Sequence, residues 1–380
     1  METIAHLVTP YLFRTGSWIH TQLRHARRYR PIVITQARED PAAFPFEPVH
    51  CVTDSLGTLA RIGNRCRELA GWRMTRRYLE LLRSERAVLI HAHLGWEGAR
   101  ALRVAHRAKL PLVTSFYGRD AGLLPRRWHW RARYRRLFRH GTAFFVEGPA
   151  LGRQLARIGC PPEKIAVIHL GIDVDRIPFR VPRAPGTGPI EVLVSSSLRP
   201  KKGVTAAVAA FARAAADLPH ARLRILGDGP QRAAVEAAIA NHGLAERVVL
   251  EGYVSYERHL AALAATDLFL APSRTAPDGD TEGGAPVALI EAQATGVPVI
   301  STRHADIPEV VRHDEGGWLA PEGDDAALAE LLARLMRSPE RWAQMGRRGR
   351  ARVEAEFCAR RQAERVADAY DRLLAGRPPA

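Results

Sequence analysis

The chain has little cysteine, and what it has is scattered. Cys51, Cys66, Cys160 and Cys358 are the four among 380 residues, and no two of them form a CxxC or a Cys/His cluster. That excludes a disulfide scaffold and a zinc ribbon and favours a reduced compartment. No apolar run approaches the roughly 18 residues of a membrane span. The start, METIAHLVTPYLF, has neither a basic opening nor a long apolar stretch, so it does not read as a signal peptide. No GxGxxG joins the first strand to its helix, which weighs against a dehydrogenase. There is no internal repeat. Acidic residues are scarce in one half only: residues 1–172 carry 29 Lys+Arg against 12 Asp+Glu, whereas 173–380 carry 27 against 28. A general bias toward Arg would raise both halves. The imbalance belongs to the first half and asks for an anionic partner.

What is present describes a globular enzyme of more than one domain. The hydrophobic share is 46% and the charged share 25%, and the length suggests two domains. Short apolar runs alternate with amphipathic spans throughout. Strands are expected at 4–9, 31–35, 88–92, 112–115, 143–146 and 166–169, then at 191–195, 221–226, 248–251, 268–271 and 297–301. Helices are expected between them at 18–28, 96–108, 149–158, 204–216, 231–242 and 258–265. Strands alternating with helices give an α/β fold of parallel, doubly wound sheets. The Pro- and Gly-rich stretch 173–188 reads as a linker between two such blocks. The domains expected are 1–175 and 186–357. In such sheets ligands bind at the carboxyl ends of the strands, so two facing domains would leave a cleft.

The most informative stretch is DTEGGAPVALIEAQATGVPVISTRHADIPEVV, from Asp280 to Val311. Gly283 and Gly284 permit close backbone approach, Pro286 suits a first helical turn, and Gly296 is placed to end the helix. A helix start behind a Gly-rich loop favours a phosphate. Glu282 and Glu291 would repel phosphate, but they suit hydroxyl groups as hydrogen-bond acceptors. Together the two features suggest a nucleotide-sugar. In VSSSLRPKKG, Arg199, Lys201 and Lys202 follow a strand and could stabilise a departing pyrophosphate. His91 and His93 share one strand face, but no third ligand pattern accompanies them, so no metal is expected. Of the two, His93 is the candidate to line the cleft, with a structural histidine as the alternative. In LLPRRWHWRARYRRLFRH, aromatics fall on one helical side and Arg on the rest. Arg126, Arg127, Trp130, Arg131 and Arg135 would suit an anionic membrane surface. The alternatives are a core-facing stripe and, less favoured, a nucleic acid.

Together these motifs resemble the retaining GT-B glycosyltransferases of family four, and within it the exopolysaccharide branches of the colanic-acid type. The resemblance spans nearly the whole chain. VIHLGID (Val167 to Asp173) is similar to the family's IPNGVD segment, LGDGP (Leu226 to Pro230) to its GDGP turn, and TSFYGRD (Thr114 to Asp120) to its TFHGxD stretch. The segment Val248 to Ser273 resembles its V-x-F-x-G…PS region, and the carboxylate pair resembles its Glu-x7-Glu signature.

The resemblance implies two Rossmann-like domains, with C-terminal helices at about 358–375 packing back on the first. It implies transfer of a sugar from an NDP-sugar to a saccharide or lipid-linked hydroxyl, with retention and without metal or other cofactor. Donor contacts are implied for Arg199, Lys202, Gly283, Gly284, Ala285, Pro286 and Glu291. An acceptor or phosphate loop is implied at Gly16 and Ser17, and catalytic positions at Tyr117, His93 and Glu282. The expected location is cytoplasmic, peripheral at the inner face of the membrane. Three departures stand out. Eight residues separate Glu282 from Glu291, so either Glu282 or Gly283 fills the first signature position. Tyr117 stands where the family has histidine, and its phenol is a poor proton shuttle at neutral pH. Arg199 lies nearer Lys202 than the family's first phosphate arginine does to its lysine. A basic nucleic-acid module, an NDP-sugar epimerase and a transferase that binds without turnover are the competing readings.

Overall fold

A computed structural model describes residues 1–12, 16–54, 75–181 and 188–379. Cys66 and residues 182–187 of the expected linker lie outside the described residues. The chain divides into two units, Met1–Gly171 with Ala359–Ala380, and Ile172–Cys358.

The first unit holds a seven-stranded sheet of β1 (Thr3–Leu7), β2 (Arg30–Thr35), β3 (Val49–Cys51), β4 (Ala87–His93), β5 (Leu112–Phe116), β6 (Ala143–Val146) and β7 (Ile165–Val167). Its strand order is β3-β2-β1-β4-β5-β6-β7, and every pairing is parallel. Its helices are α1 (Ser17–His25), α2 (Thr75–Ser84), α3 (Gly95–Ala108), α4 (Arg119–Gly122), α5 (Trp128–His140) and α6 (Pro149–Arg157). The second unit holds β8 (Glu191–Ser195), β9 (Arg222–Leu226), β10 (Val248–Gly252), β11 (Leu268–Ala271), β12 (Val299–Thr302) and β13 (Gly317–Ala320), in the order β10-β9-β8-β11-β12-β13. Its helices are α7 (Val204–Ala214), α8 (Arg232–Asn241), α9 (Tyr256–Ala264), α10 (Val287–Thr295), α11 (Ile307–Val310), α12 (Asp325–Met336) and α13 (Trp342–Glu356). The last helix, α14 (Ala359–Leu374), belongs to the first unit.

The strands are short and apolar because both faces of each sheet are buried. Successive side chains point to opposite faces. In the first unit Ile90, Leu112 and Phe144 join one core, while Leu89, Val113 and Phe145 join another. That second core is closed by α14 through Val366, Ala367, Ala369, Tyr370 and Leu373. In the second unit Val192, Val194 and Leu268 face one core, and Leu193 and Phe269 the other.

Two expectations change. The stretch after Gly171 is not free linker: Ile172, Val174 and Ile177 are buried in the second unit's core, and the Ile172 N–H donates to the Phe357 carbonyl at 2.9 Å. The aromatic side of α5 also faces inward. Trp130 is only 9% exposed and joins Tyr134, Leu137 and Phe138 in the first unit's core. Trp130 is therefore no membrane residue; its ring completes the apolar stripe that α5 lays on the sheet. Arg126, Arg127, Arg131 and Arg135 do lie exposed, as does Trp128 at 82%. Among the described residues no helix is long and apolar enough to cross a membrane.

Candidate functional site

In the second unit the expected donor residues gather at the carboxyl ends of β8, β11 and β12. The loop after β8 is pinned by the turn after β9. A side chain at Gly227 would place its Cβ 1.8 Å from the Ser196 carbonyl oxygen, so only glycine allows that approach. The Leu198 N–H then donates to the Asp228 carbonyl at 2.9 Å, and the Gln231 N–H to the Leu198 carbonyl at 3.0 Å. This fixes the path to Arg199, which is exposed, and to Lys201 and Lys202, which are half-buried.

Both lysines reach the Gly-rich loop. Lys202 Nζ donates to Glu282 Oε2 at 2.8 Å, and Lys201 Nζ to the Thr281 carbonyl at 2.8 Å. Ser273, after β11, donates to Glu282 Oε1 at 2.6 Å. Burial opposes ionisation of Glu282, but Lys202, Lys201 and the Ser273 hydroxyl outweigh it and hold the carboxyl below the ordinary range. The Glu282 N–H donates to His304 Nε2 at 3.2 Å. The His304 proton is therefore on Nδ1, which donates to Glu322 Oε2 at 2.9 Å. Gly283 takes φ +81°, open to glycine at little cost, and turns the chain into α10. Gly284 and Ala285 follow, and Pro286 caps the helix rather than opening its first turn.

Glu291 lies buried on α10. Its carboxylate accepts from His259 Nε2 at 3.0 Å, and His259 Nδ1 bonds Ser195 Oγ at 2.9 Å. Because a carboxylate only accepts, the His259 proton is on Nε2 and the Ser195 hydroxyl donates to Nδ1. Tyr256 also bonds Glu291; burial and that carboxylate raise its hydroxyl well above the ordinary value. His259, His304, Ser195 and Ser273 were not singled out by sequence. The available signal was a polar residue within an apolar run, as with His259 on the inner side of α9. The arrangement offers cations and a helix start for a diphosphate, with two oriented carboxylates for hydroxyl groups.

The first unit carries a cavity open to solvent at the carboxyl ends of β5, β6 and β7. Trp18 and Gln22 of α1, Tyr117, Glu147, His169 and Gln362 of α14 are among its walls. Gly16 and Ser17 stand at the start of the same helix but do not line the cavity. The turn bearing Tyr117 is clamped by buried Asp120, which accepts from the Gly95 N–H at 2.8 Å and the Tyr117 N–H at 3.0 Å. Burial pushes the Asp120 carboxyl up to about 6 against these backbone donors.

His93 does not line the cavity. It is fully buried beneath Tyr117, and its Nδ1 lies 2.7 Å from the Tyr117 hydroxyl. The strand places it one layer inside the wall it was expected to form. The third histidine absent from the local spacing is supplied by pairing, since β1 sets His6 opposite His91 of β4. His6, His91 and His93 bring nitrogens within 4.8 Å of one another. These nitrogens bond neighbouring side chains. His6 Nδ1 meets His93 Nε2 at 3.0 Å, and His91 meets Ser115 Oγ at 2.7 Å and the Tyr370 hydroxyl.

Two parallel, doubly wound units with ligand-shaped groups at their strand ends define a GT-B fold. Anabaena HepE, solved with UDP and glucose, shares it: the TM-score is 0.78 at 19% identity, covering 98% of this chain and all of that one. The Glycosyltransferase Family 4 model matches residues 21–176, and the Glycosyl transferases group 1 model matches 175–352. WcaL of Escherichia coli K12, whose name places it in colanic acid biosynthesis, is 36% identical over 275 residues, 72% of this chain and 67% of its own. The amylovoran biosynthesis glycosyltransferase AmsK of Erwinia amylovora is 35% identical over 283 residues, 74% of this chain and 69% of its own. The chain spans about two-thirds of the length of these relatives. It belongs to the group 1 glycosyltransferases with a family 4 first half.

Proposed function

We propose that this glycosyltransferase moves a sugar from a nucleoside-diphosphate sugar to a hydroxyl of a saccharide or lipid-linked acceptor, in the assembly of an exopolysaccharide. The observation that carries the reading is the second unit's constellation. Arg199, Lys202 and the start of α10 can meet a diphosphate. Glu291, oriented by His259 and Ser195, presents acceptors for vicinal hydroxyls of a ribose. The colanic acid and amylovoran names of WcaL and AmsK support the exopolysaccharide setting, and the UDP and glucose of HepE support the donor class.

Retention of configuration without a protein nucleophile is part of the same proposal. Glu282 is the carboxylate nearest the expected sugar position by family resemblance, and both its oxygens are engaged, by Lys202 and Ser273. A carboxylate so held is a poor nucleophile and a good electrostatic partner. Release of the leaving diphosphate would be assisted by Arg199 and Lys202, and no metal is called for. The test is incubation with UDP-, GDP-, ADP- and dTDP-sugars and a saccharide acceptor panel, with the new anomeric linkage read by NMR. An α-linked product from an α-donor, undiminished by EDTA, is expected. Inversion, or activity lost to EDTA and restored by metal, would overturn the corresponding part.

A peripheral place at the inner membrane face rests on the exposed Arg126, Arg127, Arg131 and Arg135 and on the basic first half. With Trp130 buried, attraction would be electrostatic and salt-sensitive. Flotation with anionic vesicles should fall when these four arginines are changed to alanine. Equal flotation of both proteins would remove the membrane from the account.

A further inference from the structure

Tyr117 lines the cavity of the first unit, and its hydroxyl is held by its neighbours. The hydroxyl sits 2.7 Å from Nδ1 of His93, a fully buried residue, and Ser115 and the donating Trp18 indole, both in the cavity wall, are in hydrogen-bonding contact with the same oxygen. Behind His93 lies His6, bonded through Nε2 of the first and Nδ1 of the second. Behind Ser115 lies His91, whose other nitrogen bonds the Tyr370 hydroxyl from α14. The chain runs Tyr370, His91, Ser115, Tyr117, His93, His6.

Its proton order is constrained. Burial keeps His6, His91 and His93 neutral, each with one donor and one acceptor nitrogen. Tyr370 can donate to His91 Nδ1, His91 Nε2 to Ser115, Ser115 to Tyr117, Tyr117 to His93 Nδ1, and His93 Nε2 to His6 Nδ1. The reverse order satisfies the same bonds. In both orders the single Tyr117 proton is committed to His93 or to Ser115. The ring, not the hydroxyl, is what remains for the cavity. Beside it stands the Trp18 indole, also in the cavity wall, with ring centroids 5.6 Å apart and planes at 52°. Glu147 and Gln362 add polar groups to the same wall.

We propose that Tyr117 serves this cavity as a fixed aromatic platform, paired with Trp18, for the apolar face of a sugar ring, and that Tyr370, His91, Ser115, His93 and His6 are positioning residues that hold it there by its hydroxyl. That the ligand is a sugar rests on the glycosyltransferase reading; the locking of the ring does not. Aromatic faces bind sugar C–H groups without a proton of their own. This explains why a phenol suffices where the family carries a histidine.

The test has two arms. In the first, 15N histidine NMR compares wild type with Tyr370→Phe, which keeps the ring and removes the distant hydroxyl. Neutral imidazoles are expected for all three histidines, with His91 and His93 signals shifting together in the variant. Unmoved His93 signals, or zinc held stoichiometrically at the three nitrogens, would overturn the positioning chain. In the second arm, methyl glycosides of glucose, galactose and mannose are titrated while Trp fluorescence is read. Binding of at least one is expected, with Kd raised about fivefold by Tyr117→Phe and at least fiftyfold by Tyr117→Ala. Tyr370→Phe should raise Kd about twofold in wild type and not at all in Tyr117→Phe, since it acts through that hydroxyl. No glycoside binding to wild type, or full additivity of the two Phe variants, would overturn the platform. Absence of turnover with every nucleotide-sugar would count against the function alone, because neither arm reads catalysis.

Discussion

Lys202 and Glu282 form an ion pair whose side chains are 17% and 5% exposed. Removing one partner of such a pair leaves a buried charge behind. Lys202→Ala is therefore expected to lower unfolding free energy by about 3 kcal/mol, with Lys201 and Ser273 softening the loss. Lys202→Met with Glu282→Gln should recover much of it, as chemical denaturation of the three proteins would show. Loss of donor binding in Lys202→Ala alone thus mixes two effects, whereas Arg199, exposed beside it, reports on the ligand more cleanly.

Asp120 carries the opposite sign. Its folded carboxyl is pushed up to about 6, above the 3.8 of an unperturbed aspartate, so the folded state holds the proton more tightly. That contribution is complete below the ordinary carboxyl value and is lost as pH rises through about 6. Relative to Asp120→Asn, which does not titrate, the wild type should gain stability on going from pH 7.5 to pH 4.5, by roughly 3 kcal/mol at most. Melting curves of both proteins across that range check it; a difference independent of pH would contradict it. The carboxylates Glu282 and Glu291 were legible in sequence because a Gly-rich turn, a helix and two acids form one local pattern. Their partners His259 and His304 were not, since they come from other elements and meet the acids only when the strands assemble.

Helix α14 shows what a segment's pattern can and cannot say. Its stripe of Val366, Ala367, Tyr370 and Leu373 marks an amphipathic helix, but the core it covers, with Ile4, Leu89, Val113 and Phe145, is far away in sequence. Leu373→Ala should cost about 3 kcal/mol, measured as a shift of the first unit's unfolding midpoint; no shift would mean that the helix is not seated there. Helix α5 taught the reverse lesson. Its Arg-framed aromatics satisfy a membrane pattern and a core pattern equally, because both require one apolar side, and only packing against the sheet decides. Strands with continuous apolar runs were legible. β3 (three residues) and β13 (Gly317–Ala320) were not, being too short or too Gly-rich to show periodicity. The His6 to His91 juxtaposition needs the register of β1 on β4, which no local spacing contains.

Taken over its full length, the chain joins a basic first unit to a balanced second one, and each unit carries its own candidate ligand site. The α/β class and the family were legible because turn motifs recur in order along almost the entire sequence. The sugar, the base and the acceptor were not, because they depend on a few side chains in each pocket.

The central claim is that the second unit binds a nucleoside-diphosphate sugar through Arg199 and Glu291. Isothermal titration of wild type, Arg199→Ala and Glu291→Gln with UDP-, GDP-, ADP- and dTDP-sugars tests it most directly. One nucleotide class is expected to bind wild type without added metal, and each variant to weaken it at least tenfold while remaining folded. Binding of none of these sugars, or binding unchanged in both folded variants, would contradict it.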